Sequence, residues 1–249
     1  MIWIALVGFV FVIITASLML GVSILRRKTQ PVFRDIPAFA RLRQAVGRVV
    51  EDGSRLHVSL GHSGLTTPQS AAALAGLGIL RRLADLTSAS DQPPIATAGE
   101  STVAILSQDT LQSSFMTVVP GAAFDITAGR LTGLTPFSYA AGTLPVTYDE
   151  HISTTVLMGN FGVEAGLMTD AAERTNTYLL AASDNLPAQA VMYASASDML
   201  IGEEMFSADA YNNGSRIHSV SLTVQDILRW LVIAAMVAGA VFKLLVGSL

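Results

Sequence analysis

Two long uncharged stretches bracket a middle section in which apolar and polar positions alternate at changing periods. From Met1 to Leu25 the chain carries no charged residue. As a helix rising ~1.5 Å per residue, that run is long enough to cross a hydrocarbon core of ~30 Å. A second apolar run extends from Ile227 to Leu249, with Arg229 and Lys243 near its ends, where long side chains reach the membrane interfaces. Residues 1–25 and 227–249 are therefore read as transmembrane helices. A cleaved signal peptide would need a basic stretch ahead of a shorter apolar core; no basic residue precedes Leu25, so a retained anchor is expected.

Between the spans, short apolar runs alternate with helical patterns. Arg55–Leu60 reads as a strand, closed by Gly61-His62-Ser63-Gly64. Thr67 as N-cap and Pro68 at N1 predict a helix to about Leu86. Leu74, Leu77, Ile79, Leu80, Leu83 and Leu86 form its expected stripe, and Ala71–Ala73, Ala75, Gly76 and Gly78 make its first half thin. Pro94–Ala98 is a second strand, leading through Gly99-Glu100-Ser101 into a helix to about Phe115. Ser153–Gly159 and Thr177–Ala182 are further strands, followed by helices over Val163–Arg174 and Pro187–Tyr193. A helix around Asp198–Phe206 and a last strand at His218–Leu222 complete the expected order. Repeated strand–helix alternation implies a parallel sheet covered on both sides. The fold class is α/β: a Rossmann-like, mostly parallel sheet with helices on both faces, flanked by one transmembrane helix at each end. Residues 51–226 form this body. Residues 120–150, rich in Gly, Pro and aromatics, read as an insertion that breaks the alternation, with a helix around Phe137–Ala141 or a strand pair around Asp125–Leu134.

Charge sets the expected topology. Between Arg26 and Arg48 lie seven basic residues against one acid, Asp35. Residues 26–50 are thus a basic juxtamembrane segment that ends in a helix over Ala38–Val50, which either lies on the membrane or packs on the body. The positive-inside rule puts this flank in the cytoplasm, with the body inside the inner or plasma membrane and both termini on the outer face. From Val49 to Asp226 there are 18 acids and six bases. So acidic a body is repelled by nucleic acid as well as by anionic headgroups.

Composition narrows the chemistry. Of 249 residues, 51% are hydrophobic and 14% charged, and mean hydropathy is +0.51, against roughly 25% charged in an ordinary soluble domain. There is no cysteine, which excludes thiolate metal sites and cysteine nucleophiles. No HExxH, paired helical histidines or DxDxDG occurs, so no metal or cofactor is expected. In open α/β sheets ligands bind beyond the carboxyl ends of the strands. The turns there supply the candidate ligand-binding residues Gly61, His62, Ser63, Gly64, Gly99, Glu100, Ser101, Asn160 and Asp184. The helix starts beside them favour an anion. Yet GHSGLT is neither a P-loop nor GxGxxG, and Leu65 stands where a nucleophile elbow after Ser63 needs glycine. No complete catalytic motif is present.

The runs RLHVSLGHSGLT (Arg55–Thr66), PPIAT (Pro93–Thr97), LTPFSYAAGTLP (Leu134–Pro145) and LIGEEMF (Leu200–Phe206), with an apolar C-terminal anchor, resemble a bacterial membrane-protein family known as a domain of unknown function. The resemblance implies shared architecture and transfers no site residue.

Three functional classes follow. The first is a structural or assembly protein, tethered at both ends in the lipid bilayer, that self-associates as a homo-oligomer or scaffolds a membrane complex. Phe137 and Tyr139 are its candidate interface anchors. The second is a sensing module holding a small anion or nucleotide at the strand ends. The third is a membrane-bound serine hydrolase using Ser63 or a nearby carboxylate.

Overall fold

The computed structural model describes residues 2–25, 34–88, 90–211 and 216–246. The chain divides into two units: Met1–Arg34 with Asn213–Leu249, and Asp35–Asn212. The first unit is two helices, α1 (Ile2–Leu25) and α9 (Arg216–Val246), which pack against each other. Both are long and apolar enough to span a membrane, over Gly8–Leu25 and Val220–Leu244. The expected strand at His218–Leu222 is instead part of α9. Its apolar residues continue one helix upstream of the span, and so short a run does not separate a strand from a helix extension. The basic residues Arg26, Arg27 and Lys28 lie outside the described residues.

The second unit, the body, starts with α2 (Pro37–Glu51), whose Phe39, Leu42, Val46 and Val49 are buried in the main core while Arg41, Arg43 and Arg48 face outward. Of the two readings left open for this helix, packing on the body is the one observed. Chain order then runs β1 (Arg55–Gly61), α3 (Ser70–Thr87), β2 (Ile95–Ala98), α4 (Ser101–Val118), a 3-10 turn (Ile126–Ala128), β3 (Gly129–Leu131) and α5 (Pro136–Asp149). It continues through β4 (Ile152–Asn160), α6 (Ala165–Arg174), β5 (Tyr178–Ser183), α7 (Leu186–Ser195), β6 (Asp198–Leu200) and α8 (Glu204–Tyr211). All strand pairs are parallel, in the order β3-β2-β1-β4-β5-β6. That is the doubly wound order whose direction reverses between β1 and β4.

Three expectations are corrected by this order. Residues 120–150 do not break the alternation, because they contain β3 and α5 and so supply the third strand–helix step. The strand is only Gly129-Arg130-Leu131, too short to show a period, and it pairs with β2 rather than forming a hairpin. Asp198–Leu200 is likewise a three-residue edge strand rather than a helix start. Finally, α3 begins at Ser70 because Thr67 Oγ1 donates to the Gly64 carbonyl at 2.8 Å, closing a turn instead of capping the helix.

The two faces of the sheet are packed differently. Leu56, Val58, Leu60, Val156, Met158, Leu180 and Ala182 point to one face, where they join apolar residues of α2, α3, α4 and α8 in the main core. On α3, Ile79, Leu80 and Leu83 of the expected stripe are buried together with Ala72, Ala73 and Gly76 of the thin half, while Leu74 and Leu86 are exposed. A Cβ on Gly76 would run into the Met158 carbonyl and the Leu60 side chain, so helix and strand approach at a distance only glycine permits. The opposite face carries α5, α6 and α7. Over β4 and β5 it is apolar, with Leu157, Phe161, Met168, Leu179 and Met192 buried together. Over β1 and β2 it turns polar, with His57, Ser59 and Thr97 fully buried.

Both ends of the body meet at one corner. Phe39, near the start of α2, stacks on Tyr211, the last residue of α8, with ring centroids 4.9 Å apart. Arg41 forms an ion pair with the buried Asp198, and Tyr178 Oη donates to the same carboxylate at 2.8 Å. Asp198 and Tyr178 open β6 and β5, so the chain enters and leaves the body at the amino ends of those strands.

Candidate functional site

The crevice at the reversal of strand order is built by the turns leaving β1, β2, β4 and β5. Gly61 ends β1 at φ +71°, and a Cβ there would overlap the Asn160 backbone. The turn is pinned from both sides: His62 N–H donates to the Asn160 carbonyl (2.9 Å), and Gly99 N–H donates to the Gly61 carbonyl (2.8 Å). The next turns are joined side by side as well. Asn160 Nδ2 donates to Asp184 (2.6 Å), Asn185 Nδ2 to the Phe161 carbonyl (2.8 Å), and Phe161 N–H to Ser183 Oγ (3.2 Å).

The structure thus gathers Gly61, His62, Ser63, Gly64, Gly99, Glu100 and Ser101 on one side of the reversal, with Asn160 and Asp184 on the other. The space between them is occupied by the chain's own side chains. Ser63, Phe161 and Glu164 are buried, and the His62 ring lies edge-on against Tyr139 at 4.5 Å between centroids. His62 Nε2 is 3.2 Å from Glu164 Oε1, but off the direction of an aligned hydrogen bond, so the contact is ionic in character when the ring is protonated. Desolvation lowers the His62 pKa, and the Glu164 carboxylate only partly offsets it. Ser63 Oγ is buried without a hydrogen-bond partner among the described residues.

Of the helix starts beside the crevice, that of α4 is already taken by a side chain. Glu100 caps α4: Val103 N–H donates to its Oε2 (3.0 Å), and the hydroxyls of Thr102 and Ser101 donate to its Oε1. Burial pushes the Glu100 pKa up, but these donors together outweigh it and hold the carboxyl below its usual range. Ahead of α6, Gly162 N–H donates to Glu164 Oε1 at 2.7 Å. No Lys or Arg occurs on any of these turns. A helix N-terminus contributes ~0.3–1 kcal/mol toward an anion. A carboxylate ~4 Å away repels one by on the order of 4 kcal/mol at an effective dielectric near 20. At the α4 start, repulsion by Glu100 outweighs the attraction of the helix N-terminus for an anion.

Tyr139 is not available as an interface anchor, because its side chain is fully buried. Its Oη accepts from Gly61 N–H (3.2 Å), donates to the Thr97 carbonyl (3.2 Å) and shares a hydrogen bond with Ser59 Oγ. Thr97 Oγ1 continues the network to His57 Nε2 at 2.9 Å. Burial lowers the His57 pKa to about 3, helped by the charge of Arg130. Phe137, by contrast, is exposed. Glu164 and this buried network were not anticipated, because nothing in sequence spacing links Glu164 to His62 or Tyr139 to Ser59. Among the described residues, no group of three His, Asp or Glu side chains is placed to hold a metal.

Fold and edge together define a chain with two helices long and apolar enough to span a membrane and a doubly wound α/β body. The chain belongs to the family described as Domain of unknown function (DUF6754), which matches residues 2–248. No curated protein and no solved structure matches it.

Proposed function

We propose that this protein is a membrane-anchored structural or assembly protein, a two-span tethered α/β body that self-associates or scaffolds a larger membrane complex. The observation that carries the reading is the crevice itself: where a doubly wound sheet ordinarily takes a ligand, Glu100 caps α4 and the buried Glu164 lies against His62. The tethers add support. Phe39 and Tyr211 bring the body's two ends to one corner, so both connections restrain it from the same place. The body sits on the cytoplasmic side of the inner or plasma membrane with both termini outside, as the seven basic residues from Arg26 to Arg48 support.

Light scattering on particles extracted in mild detergent tests the assembly reading. A uniform particle of many chains, or a reproducible complex, is expected; a monodisperse single chain from native membranes would overturn it. Topology is tested separately with a cysteine at Asp91 in this cysteine-free chain. It is expected to resist an impermeant thiol reagent in intact cells, and ready labelling would place the body outside.

A second reading, a small-ligand sensing module, is favoured by one feature, the buried and unpartnered Ser63 Oγ. Saturable binding of a nucleotide or inorganic phosphate at one per chain, abolished by Ser63→Ala, would establish it over the first.

A further inference from the structure

The carboxyl edge of the sheet also carries an apolar rim. Leu134 follows β3, Phe137 opens α5, Val163 follows β4, Leu186 opens α7 and Ile201 follows β6. Each of these side chains is 52% to 75% exposed. Because α5, α6 and α7 pack side by side, Phe137, Val163 and Leu186 stand in a row at the same end of neighbouring helices. Large apolar residues on an ordinary surface occur singly; a row rimmed by polar groups marks a contact surface.

The charge on this edge selects the occupant. Glu100 and the exposed Asp184 lie within it, Glu203 and Glu204 follow β6, and no Lys or Arg is present on the strand-end turns. An anionic lipid surface or nucleic acid would be repelled. A second copy docked rim to rim would set Glu100 and Asp184 against their own equivalents, at a cost of several kcal/mol for such like-charge juxtaposition. The geometry points to a protein partner of opposite chemistry: a basic polypeptide segment whose apolar side chains cover Phe137, Val163 and Leu186 while its Lys or Arg residues face Glu100 and Asp184. This rests on the assembly reading and names the kind of partner the body holds.

The test uses the full chain in phosphatidylcholine nanodiscs and two dye-labelled amphipathic helical peptides, one of Lys and Leu, the other with Glu in place of Lys. Fluorescence anisotropy is expected to show saturable binding of the Lys peptide, about tenfold tighter than the Glu peptide and weakened by added salt. Phe137→Ser with Leu186→Ser is expected to weaken it about tenfold, as for loss of central interface residues. Leu134→Ser with Val163→Ser provides an independent pair at exposed positions. Glu100→Gln with Asp184→Asn should remove the preference for Lys. Equal binding of both peptides, indifference to both apolar pairs, or equal binding to empty nanodiscs would each overturn the proposal. So would self-assembly that requires Phe137 and Leu186 with no peptide present, since the rim would then hold a second copy. Particle mass is read on the same samples. Lys-peptide binding by a single-chain particle would keep the rim and remove the assembly reading, and a large particle blind to the peptide would do the reverse.

Discussion

The two ends of the sheet use the same backbone geometry and opposite electrostatics. At the amino end two carboxylates are held by guanidinium groups: Asp198 by Arg41, and Glu150 by Arg55 at 2.6 Å and Arg130 at 2.8 Å. The tethers join the body there, and its exposed helix α2 is basic. At the carboxyl edge Glu100, Glu164 and Asp184 share one imidazole and no Lys or Arg. Glu100 accepts from backbone and hydroxyl donors, Glu164 from Gly162 N–H and Asp184 from the Asn160 amide, while Ser63 Oγ beside them has no hydrogen-bond partner among the described residues. Acids without Lys or Arg beside exposed apolar residues are what the proposed contact at this end rests on.

The largest expected effect breaks the body that both ends share. Gly76→Val would push a branched side chain into the Met158 carbonyl, and overpacking of this kind costs about 1–3 kcal/mol or more when backbone must move. Both tryptophans, Trp3 and Trp230, lie outside the body, so their fluorescence does not follow it. Pulse proteolysis in urea is the suitable measurement, and it should show the body of the variant cleaved at low urea. An unchanged midpoint would mean that α3 does not sit against β4 at glycine distance.

Acid at about pH 3.5 is expected to be comparably damaging. His57 is neutral in the folded body, with its pKa lowered to about 3, whereas in the unfolded chain it titrates near 6.5. Above pH 6.5 neither state binds the proton and nothing is lost. As pH falls from 6.5 toward 3 the unfolded chain binds a proton that the folded body refuses, and stability declines by up to about 1.4 kcal/mol per pH unit, roughly 4 kcal/mol by pH 3.5. His62, shifted in the same direction, adds to the decline. His57→Gln should flatten the urea midpoint between pH 6.5 and 4 relative to the parent chain. Equal slopes in the two proteins would exclude His57 as the titrating group.

The sequence made the central strands legible because parallel strands buried on both faces read as continuous apolar runs bounded by glycine turns, as in β1 and β4. The edges were not legible. β3 and β6 are three residues each, and their burial comes from one neighbour rather than from a period of their own. On α3 the leucine stripe located Ile79, Leu80 and Leu83 in the core, while close approach to Met158 and Leu60 placed Gly76 and its neighbouring alanines there rather than Leu74 and Leu86. The candidate turns could be placed from strand–helix alternation. The occupants of the crevice could not, since Glu164 and Tyr139 reach it from α-helical segments distant in sequence from His62.

Tyr139 and Phe137, neighbours on the first turn of α5, reproduce the contrast within a single helix. Tyr139→Phe keeps the ring and removes the hydroxyl, so Gly61 N–H loses that acceptor and Ser59 Oγ its bonding partner. A buried group left unsatisfied costs about 1–3 kcal/mol, and the urea midpoint should fall accordingly. Rescue by Ser59→Ala, which removes one of the stranded groups, would identify the hydroxyl network as the cause. Phe137→Ser is the smallest expected effect on stability, within about 0.5 kcal/mol for an exposed side chain that takes no part in the Thr135–Ser138 capping box around it. It should nevertheless weaken Lys-peptide binding and leave the acid profile untouched, because Phe137 contributes to the surface rather than to the network around His57. If Phe137→Ser instead lowers the midpoint as far as Tyr139→Phe does, Phe137 is a packing residue, and the row it forms with Val163 and Leu186 is not a surface held open for a partner.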